Sequence, residues 1–228
     1  ERAGGKVKGV RHGDHVVLSF QSCGHCSPCR SGHPADCESL YDLNFGFRRL
    51  DGSNALKRCH VRGHFFGQSS FSTYVLATER NLVKVRKDLP LEVLAPLGCG
   101  LQTGAGTVMN SLAVPTGASI AIFGTGGVGL AAVMAARIVG ANPIIGVDRI
   151  PSRLKLAKEL GATHVIDSRR ECVTDGIRAA TGGGVDYIVE NTGDSRLYRL
   201  AVVLLNPKGT AAYLAGEDGP GSLPGGRR

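Results

Sequence analysis

IAIFGTGGVGLAAV, residues 120 to 133, sets a short apolar, β-branched run directly before a glycine turn, and the turn directly before a helix-forming run. Its glycines stand as G-x-G-x-x-G at Gly124, Gly126 and Gly129. In that setting the first permits a tight turn, the second lets backbone approach a pyrophosphate, and the third lets helix pack on strand. The N-terminus of the following helix attracts the phosphates. Gly127, inside the same turn, is counted with the cofactor-binding residues. A glycine-rich turn without a ligand is the plainer alternative, and the strand and helix flanking this one weigh against it.

Downstream the pattern repeats as strand then helix. PIIGVD (143 to 148) precedes PSRLKLAKELG, in which Pro151 suits a first helical turn and Gly161 a C-terminal stop. HVID (164 to 167) precedes a helix near 171 to 181, VDYIVE (185 to 190) a helix near 195 to 205 closed by NPKG, and TAAYLA (210 to 215) ends the series. With SIAIF (119 to 123) this makes five strands, the first four each followed by a helix, which predicts an α/β fold with a doubly wound parallel sheet of Rossmann type. Asp148 ends the second strand, where a carboxylate accepts hydrogen bonds from the adenosine ribose hydroxyls and repels a 2′-phosphate. That favours NAD over NADP. Arg149 and Arg153 pull the other way, because a cation near the ribose tolerates the phosphate; a solvated surface is the bland reading of both.

Upstream, composition changes near residue 90, where a Gly-, Cys- and His-rich part gives way to the alternating pattern. HVVLSF (15 to 20), SFSTYVLA (70 to 77) and LVKV (82 to 85) predict strands of a small β domain, and residues 38 to 68 predict loop. Residues 90 to 117 form a crossover punctuated by Pro90 and Pro96, in which GLQTGAGTVMNSLAV has helical character. The expected divisions are a partial β domain over 1–90, crossover over 91–117, a partial dinucleotide-binding domain over 118–215, and a Gly/Pro-rich tail over 216–228, expected to be disordered.

QSCGHCSPCRSGHPADCES spaces four of the seven cysteines as C-x-x-C-x-x-C-x7-C at Cys23, Cys26, Cys29 and Cys37. Short gaps gather thiolates from one turn and the longer return supplies the fourth corner of a tetrahedron, as a closed structural zinc site requires. An iron-sulfur cluster is the alternative, but its run has a different last gap and a following proline. Packing cysteines would not cluster in so polar a loop. His25 and His33 lie among the thiols and read as loop residues, since four thiolates complete the shell.

The chain has 228 residues, 42% of them apolar, enough to bury a core. It has no apolar run of the ~20 residues a bilayer span needs, and its first residues lack the pattern of a secretion signal. Clustered thiols suit a reducing compartment, so the cytoplasm is expected. The net charge of +8 is carried by scattered Lys and Arg, and aromatics are 5% of the chain, so no nucleic-acid face and no membrane partner are expected.

A four-cysteine lobe upstream of a crossover and a GTGGVG turn resembles the zinc-containing medium-chain alcohol dehydrogenases. APLGCGLQTGAGTVMN (95 to 110) and HFFGQSSFSTYVLATERNLVKV (64 to 85) resemble the aryl-alcohol, or benzyl-alcohol, branch. The resemblance implies that the first part is a GroES-like domain and that the chain serves oxidation of a primary, aromatic alcohol to its aldehyde, with hydride passing to NAD. It implies that Cys99 is one of three protein ligands of a catalytic zinc, in the Cys2His set known for that family; on residues alone Cys99 reads as a packing cysteine. It places Thr103 and Val128 against the nicotinamide, Thr192 and Leu214 near its carboxamide and ribose, and Arg153 at the adenosine end. The opening ERAGGKVKGVRHGDHVVLSF matches the segment after the family's Gly-His-Glu motif, so the other two ligands are expected upstream of Glu1; His12, His15, His60 and His64 match no ligand motif. The sixth strand of the family's sheet and its return into the catalytic domain are expected to be missing, replaced by the Gly/Pro-rich tail. The chain is therefore expected to be partial, with little turnover alone; a homo-oligomer is expected of the full-length enzyme and not of this chain. Rival readings are a glutathione-linked formaldehyde dehydrogenase, a non-catalytic NAD-binding protein, and a zinc-ribbon-like module that binds nucleic acid.

Overall fold

The structure, a computed structural model, describes residues 1–54, 56, 62–68, 70 and 72–216. His60, Phe71 of the expected strand, and residues 217–228 of the expected tail lie outside the described residues. The chain divides into two compact units, Glu1–Cys99 and Gly100–Arg228. No helix among the described residues is long and apolar enough to cross a membrane.

In the first unit, β1 (Val16–Leu18) pairs antiparallel with β2 (Leu82–Lys84), Val17 opposite Val83. The strand expected over 70–77 does not form: described residues 72–77 join no ladder, and Tyr74 and Leu76 stand 71% and 83% exposed. A β-branched and aromatic run becomes a strand only where a neighbouring backbone takes its hydrogen bonds, and composition cannot supply that neighbour. Between β1 and β2 lie α1 (Ser27–Arg30), which carries Cys29, and α2 (Leu40–Phe45). The second falls where loop was expected. Its cause is tertiary: Leu40 and Leu43 pack on the cysteines, while buried Asn44 accepts from the Gln21 amide at 2.7 Å and donates to the Gln21 carbonyl at 2.9 Å. After β2 a short helix α3 (Leu91–Leu94) and a 3-10 turn, Ala95–Gly98, lead to Cys99.

The second unit opens with α4 (Gly100–Gly106), prolonged by a π-helical turn, Thr107–Ser111, in the stretch given helical character. Then come β3 (Ile120–Phe123), α5 (Gly127–Val139), β4 (Ile144–Asp148), α6 (Pro151–Leu160), β5 (His164–Asp167), α7 (Val173–Thr181), β6 (Val185–Glu190), α8 (Ser195–Val203) and β7 (Leu205–Tyr213). All five strands are parallel, in the order β5-β4-β3-β6-β7. Ile120 of β3 registers with Ile144 on one side and Tyr187 on the other, so the order reverses at β3. β3 and β4 are buried at every position, as expected of strands covered on both faces. Ile120, Ile122 and Ile144 feed one apolar layer, Phe123, Ile145 and Ile188 the other. β7 begins earlier than the expected 210–215, and NPKG lies inside it instead of closing a helix. The ladder runs from Val185 opposite Leu205 straight to Tyr187 opposite Thr210, and the intervening residues bulge, with Lys208 at φ 67°. Asn206 in the bulge donates to Asp186 at 2.9 Å, a contact that chain order does not show.

Candidate nucleotide cleft and thiolate lobe

The four expected zinc ligands meet. The Sγ atoms of Cys23, Cys26, Cys29 and Cys37 all lie within 4.8 Å of one another, with Cys23 to Cys29 at 3.9 Å and Cys26 to Cys37 at 4.0 Å. Zinc bound at ~2.3 Å would set tetrahedral sulfurs about 3.8 Å apart, so the residues fit the ion. The loop also aims backbone N–H groups at the sulfurs: Cys26 N donates to Cys23 at 3.3 Å and Cys23 N to Cys37 at 3.2 Å. Backbone donation from His25 and Cys26 lowers the Cys23 thiol to about 6, whereas burial pushes Cys29 up to about 11. Among the described residues this is the sole gathering of three or more metal-ligating side chains. Cys99 stands outside it, at the end of the first unit with its amide on the Pro96 carbonyl, and a catalytic zinc at Cys99 does not follow from these residues.

The glycine turn crosses the C-terminal end of β3. Gly124 has φ 86°, and a Cβ on Gly129 would lie 1.8 Å from the Gly124 carbonyl oxygen, so strand and helix approach as only glycine allows. On the other side the turn is open: a Cβ on Gly127 would meet nothing within 4 Å. No side chain caps α5 at Gly126, which leaves the first amides of a thirteen-residue helix for an anion. A cleft of about 800 Å³ opens there, lined by Gly124, Gly126, Asp148, Arg153, Asn191 and Thr192 among others.

Asp148 sits where it was expected and is held on both oxygens. Oδ2 accepts from the Thr125 amide at 2.7 Å and its hydroxyl at 3.1 Å; Oδ1 accepts from the amides of Arg149 at 2.7 Å and Ile150 at 2.9 Å. The Arg153 guanidinium stands 3.9 Å away. Arg149, Arg169 and Arg196 also line the cleft, as does Asp194. Arg169 pairs with Asp167 and Arg196 with Asp194; the Arg196 guanidinium holds the Asp194 carboxyl at about 2.

Not every expected cofactor residue lines this cleft. Val128 is half-buried in the first turn of α5, and its carbonyl lies under Gly104 of α4. Thr103 lies in α4, its carbonyl accepting from the Thr107 hydroxyl at 2.8 Å. Leu214 follows β7, packs on the core layer and donates its amide to the Glu190 carbonyl at 2.8 Å. Three residues escaped the sequence reading. Thr125 is the spacer of the glycine motif; Asn191 donates to the carbonyls of Phe123 at 2.7 Å and Gly124 at 2.9 Å; Glu190 is fully buried below the cleft. The available signal was a charged residue ending a parallel strand, with an amide residue directly after it.

The chain joins a parallel sheet with a glycine turn at its switch point to a preceding unit that carries a tetrathiolate lobe. Residues 1–87 match the alcohol dehydrogenase GroES-like domain and residues 127–227 the zinc-binding dehydrogenase domain, and the chain belongs to this alcohol dehydrogenase family. It is similar to the geraniol dehydrogenase of Castellaniella defragrans, 46% identical over 226 residues, which cover 96% of this chain and 61% of that protein. Benzyl alcohol dehydrogenase from Acinetobacter calcoaceticus superposes with a TM-score of 0.87 at 45% identity, over 95% of this chain and 59% of that one. An alcohol dehydrogenase zinc-binding domain protein from Burkholderia ambifaria has the same TM-score at 52% identity, over 94% and 59%. The chain thus spans about three fifths of the length of these relatives.

Proposed function

We propose that this chain serves a zinc-dependent alcohol dehydrogenase that interconverts a primary alcohol, aromatic or allylic, and its aldehyde, with NAD as hydride acceptor. The observation that carries the reading is the open glycine turn at the switch point of the sheet, with Asp148 hydrogen-bonded to it in the wall of the same cleft. In this reading the amides at the start of α5 hold the pyrophosphate, Asp148 takes the adenosine ribose with Arg153 beside it, and Thr192 faces the nicotinamide carboxamide. Val128, Thr103 and Leu214 complete the nicotinamide side. Bound NAD supplies the electron-accepting ring; the protein supplies its orientation and a dry contact. The tetrathiolate lobe bears structural zinc and touches no reacting atom. Support for the substrate class comes from the geraniol and benzyl alcohol dehydrogenases among the relatives, and four clustered thiols suit the reducing cytoplasm.

The test is titration of the chain with NAD and NADP. Saturable NAD binding at least tenfold tighter than NADP is expected; tighter NADP binding, or binding of neither, would sink the cofactor reading. Oxidation of benzyl alcohol and geraniol is assayed on an enzyme that also supplies the two further zinc ligands, where NAD reduction by either alcohol is expected and reduction by neither would sink the substrate class.

A further inference from the structure

We infer that Glu190 is a positioning residue for the nicotinamide end of the cofactor, acting through the Thr192 hydroxyl. The inference rests on the reading above that the cleft holds NAD with Thr192 at its carboxamide. Glu190 ends β6 with 0% exposure, the most completely buried charged side chain among the described residues, and does not line the cleft itself. Its Oε1 accepts from the Thr192 amide at 2.8 Å and from the Thr192 hydroxyl, and its Oε2 accepts from the Gly193 amide at 3.4 Å. The same hydroxyl oxygen accepts from the Asp194 amide at 3.0 Å.

A threonine hydroxyl has one proton and two acceptor sites. Here the proton goes to Glu190 and one acceptor site to Asp194. What remains for a ligand is a single acceptor, which matches the N–H2 group of a carboxamide and repels its carbonyl. Without the Glu190 carboxyl the hydroxyl could turn over and donate, and the ring would lose the contact that tells one side of its amide from the other. Asn191, next in chain, ties this turn to the carbonyls of Phe123 and Gly124, so the orientation set by Glu190 is referred to the glycine turn that holds the pyrophosphate.

The experiment compares NAD with ADP-ribose, which has the same adenosine diphosphate end and lacks the nicotinamide, by calorimetric titration of the full chain. Glu190→Gln offers one acceptor oxygen and adds two N–H donors, and Thr192→Val removes the hydroxyl while Glu190 stays. Each is expected to weaken NAD about threefold to tenfold, the worth of one hydrogen bond, and to leave ADP-ribose unchanged. Thr192→Ser, which keeps the hydroxyl, should recover most of the NAD affinity that Thr192→Val loses. Equal loss of NAD and ADP-ribose in Thr192→Val, or no loss of either, overturns the inference, whatever Glu190→Gln does to stability. An unaltered chain that binds ADP-ribose and NAD equally overturns the nicotinamide contact itself, and one that binds neither overturns the cofactor reading.

Discussion

In the first unit the buried apolar side chains among the described residues are Cys23, Cys26, Cys37 and Leu94; in the second, β3 alone supplies Ile120, Ala121, Ile122 and Phe123, backed by layers on both faces. One unit thus has sulfur where the other has hydrocarbon. Its two strands are three residues each, its helices one or two turns, and its core cluster is centred on the thiols. The difference teaches that the same chain solves the burial problem twice: with apolar area, which works gradually and tolerates small losses, and with a coordination sphere, which is all or nothing.

The largest effect expected from this contrast is metal removal. Apparent binding free energies of structural zinc are ~10 kcal/mol or more, so stripping the ion with a strong chelator should abolish hydrogen-exchange protection of residues 23–45 while the amides of β3, β4 and β6 keep theirs. A lobe that stays protected in metal-free protein would break the comparison. Next in size is Gly129→Ala. The new Cβ would overlap the Gly124 carbonyl, so α5 must move off β3 at a cost on the order of 3 kcal/mol. Thermal melts should show the loss, with NAD affinity down more than tenfold and zinc content unchanged.

Smallest is Asp186. Its Oδ2 accepts from the Ser119 amide at 2.9 Å and hydroxyl at 2.7 Å, its Oδ1 from Asn206 at 2.9 Å, and these bonds, that from Asn206 foremost, hold its carboxyl below the usual range. A depressed carboxylate contributes stability that is complete above its unfolded value of ~3.9 and is lost as pH falls through the folded one. Asp186→Asn should therefore cost about 1–2 kcal/mol at pH 7, and the gap from the unaltered chain should narrow as urea midpoints are measured at pH values falling below the unfolded value. A gap that stays constant with pH would assign the loss to packing.

The parts legible in the sequence were those whose causes are local. Gly129, the third glycine of the motif, answers to Gly124 five positions back, and the cysteine spacing encodes its own closure. Strands β3 and β4 announce themselves because burial on both faces demands largely apolar runs. What was hidden depends on distant partners. Asn191 works on Phe123 across 68 positions, α2 exists because Asn44 reaches Gln21, and the run over 70–77 lacks in its own composition the neighbour that would make it a strand. Glu190 was read as the end of a strand, since nothing in VDYIVE shows that its last side chain turns under the cleft to serve Thr192.

Asp148 has a consequence for redesign. Changing a dehydrogenase from NAD to NADP is commonly pictured as exchanging this one acid for a neutral side chain. Here the acid is also the acceptor for three backbone amides, of Thr125, Arg149 and Ile150, and for one hydroxyl. Taking it away orphans donors at the tip of β4 and in the glycine turn together. On the cofactor reading proposed above, cofactor choice and local folding would be written in the same carboxylate, so a successful exchange must first re-house those four donors and only then make room for a phosphate.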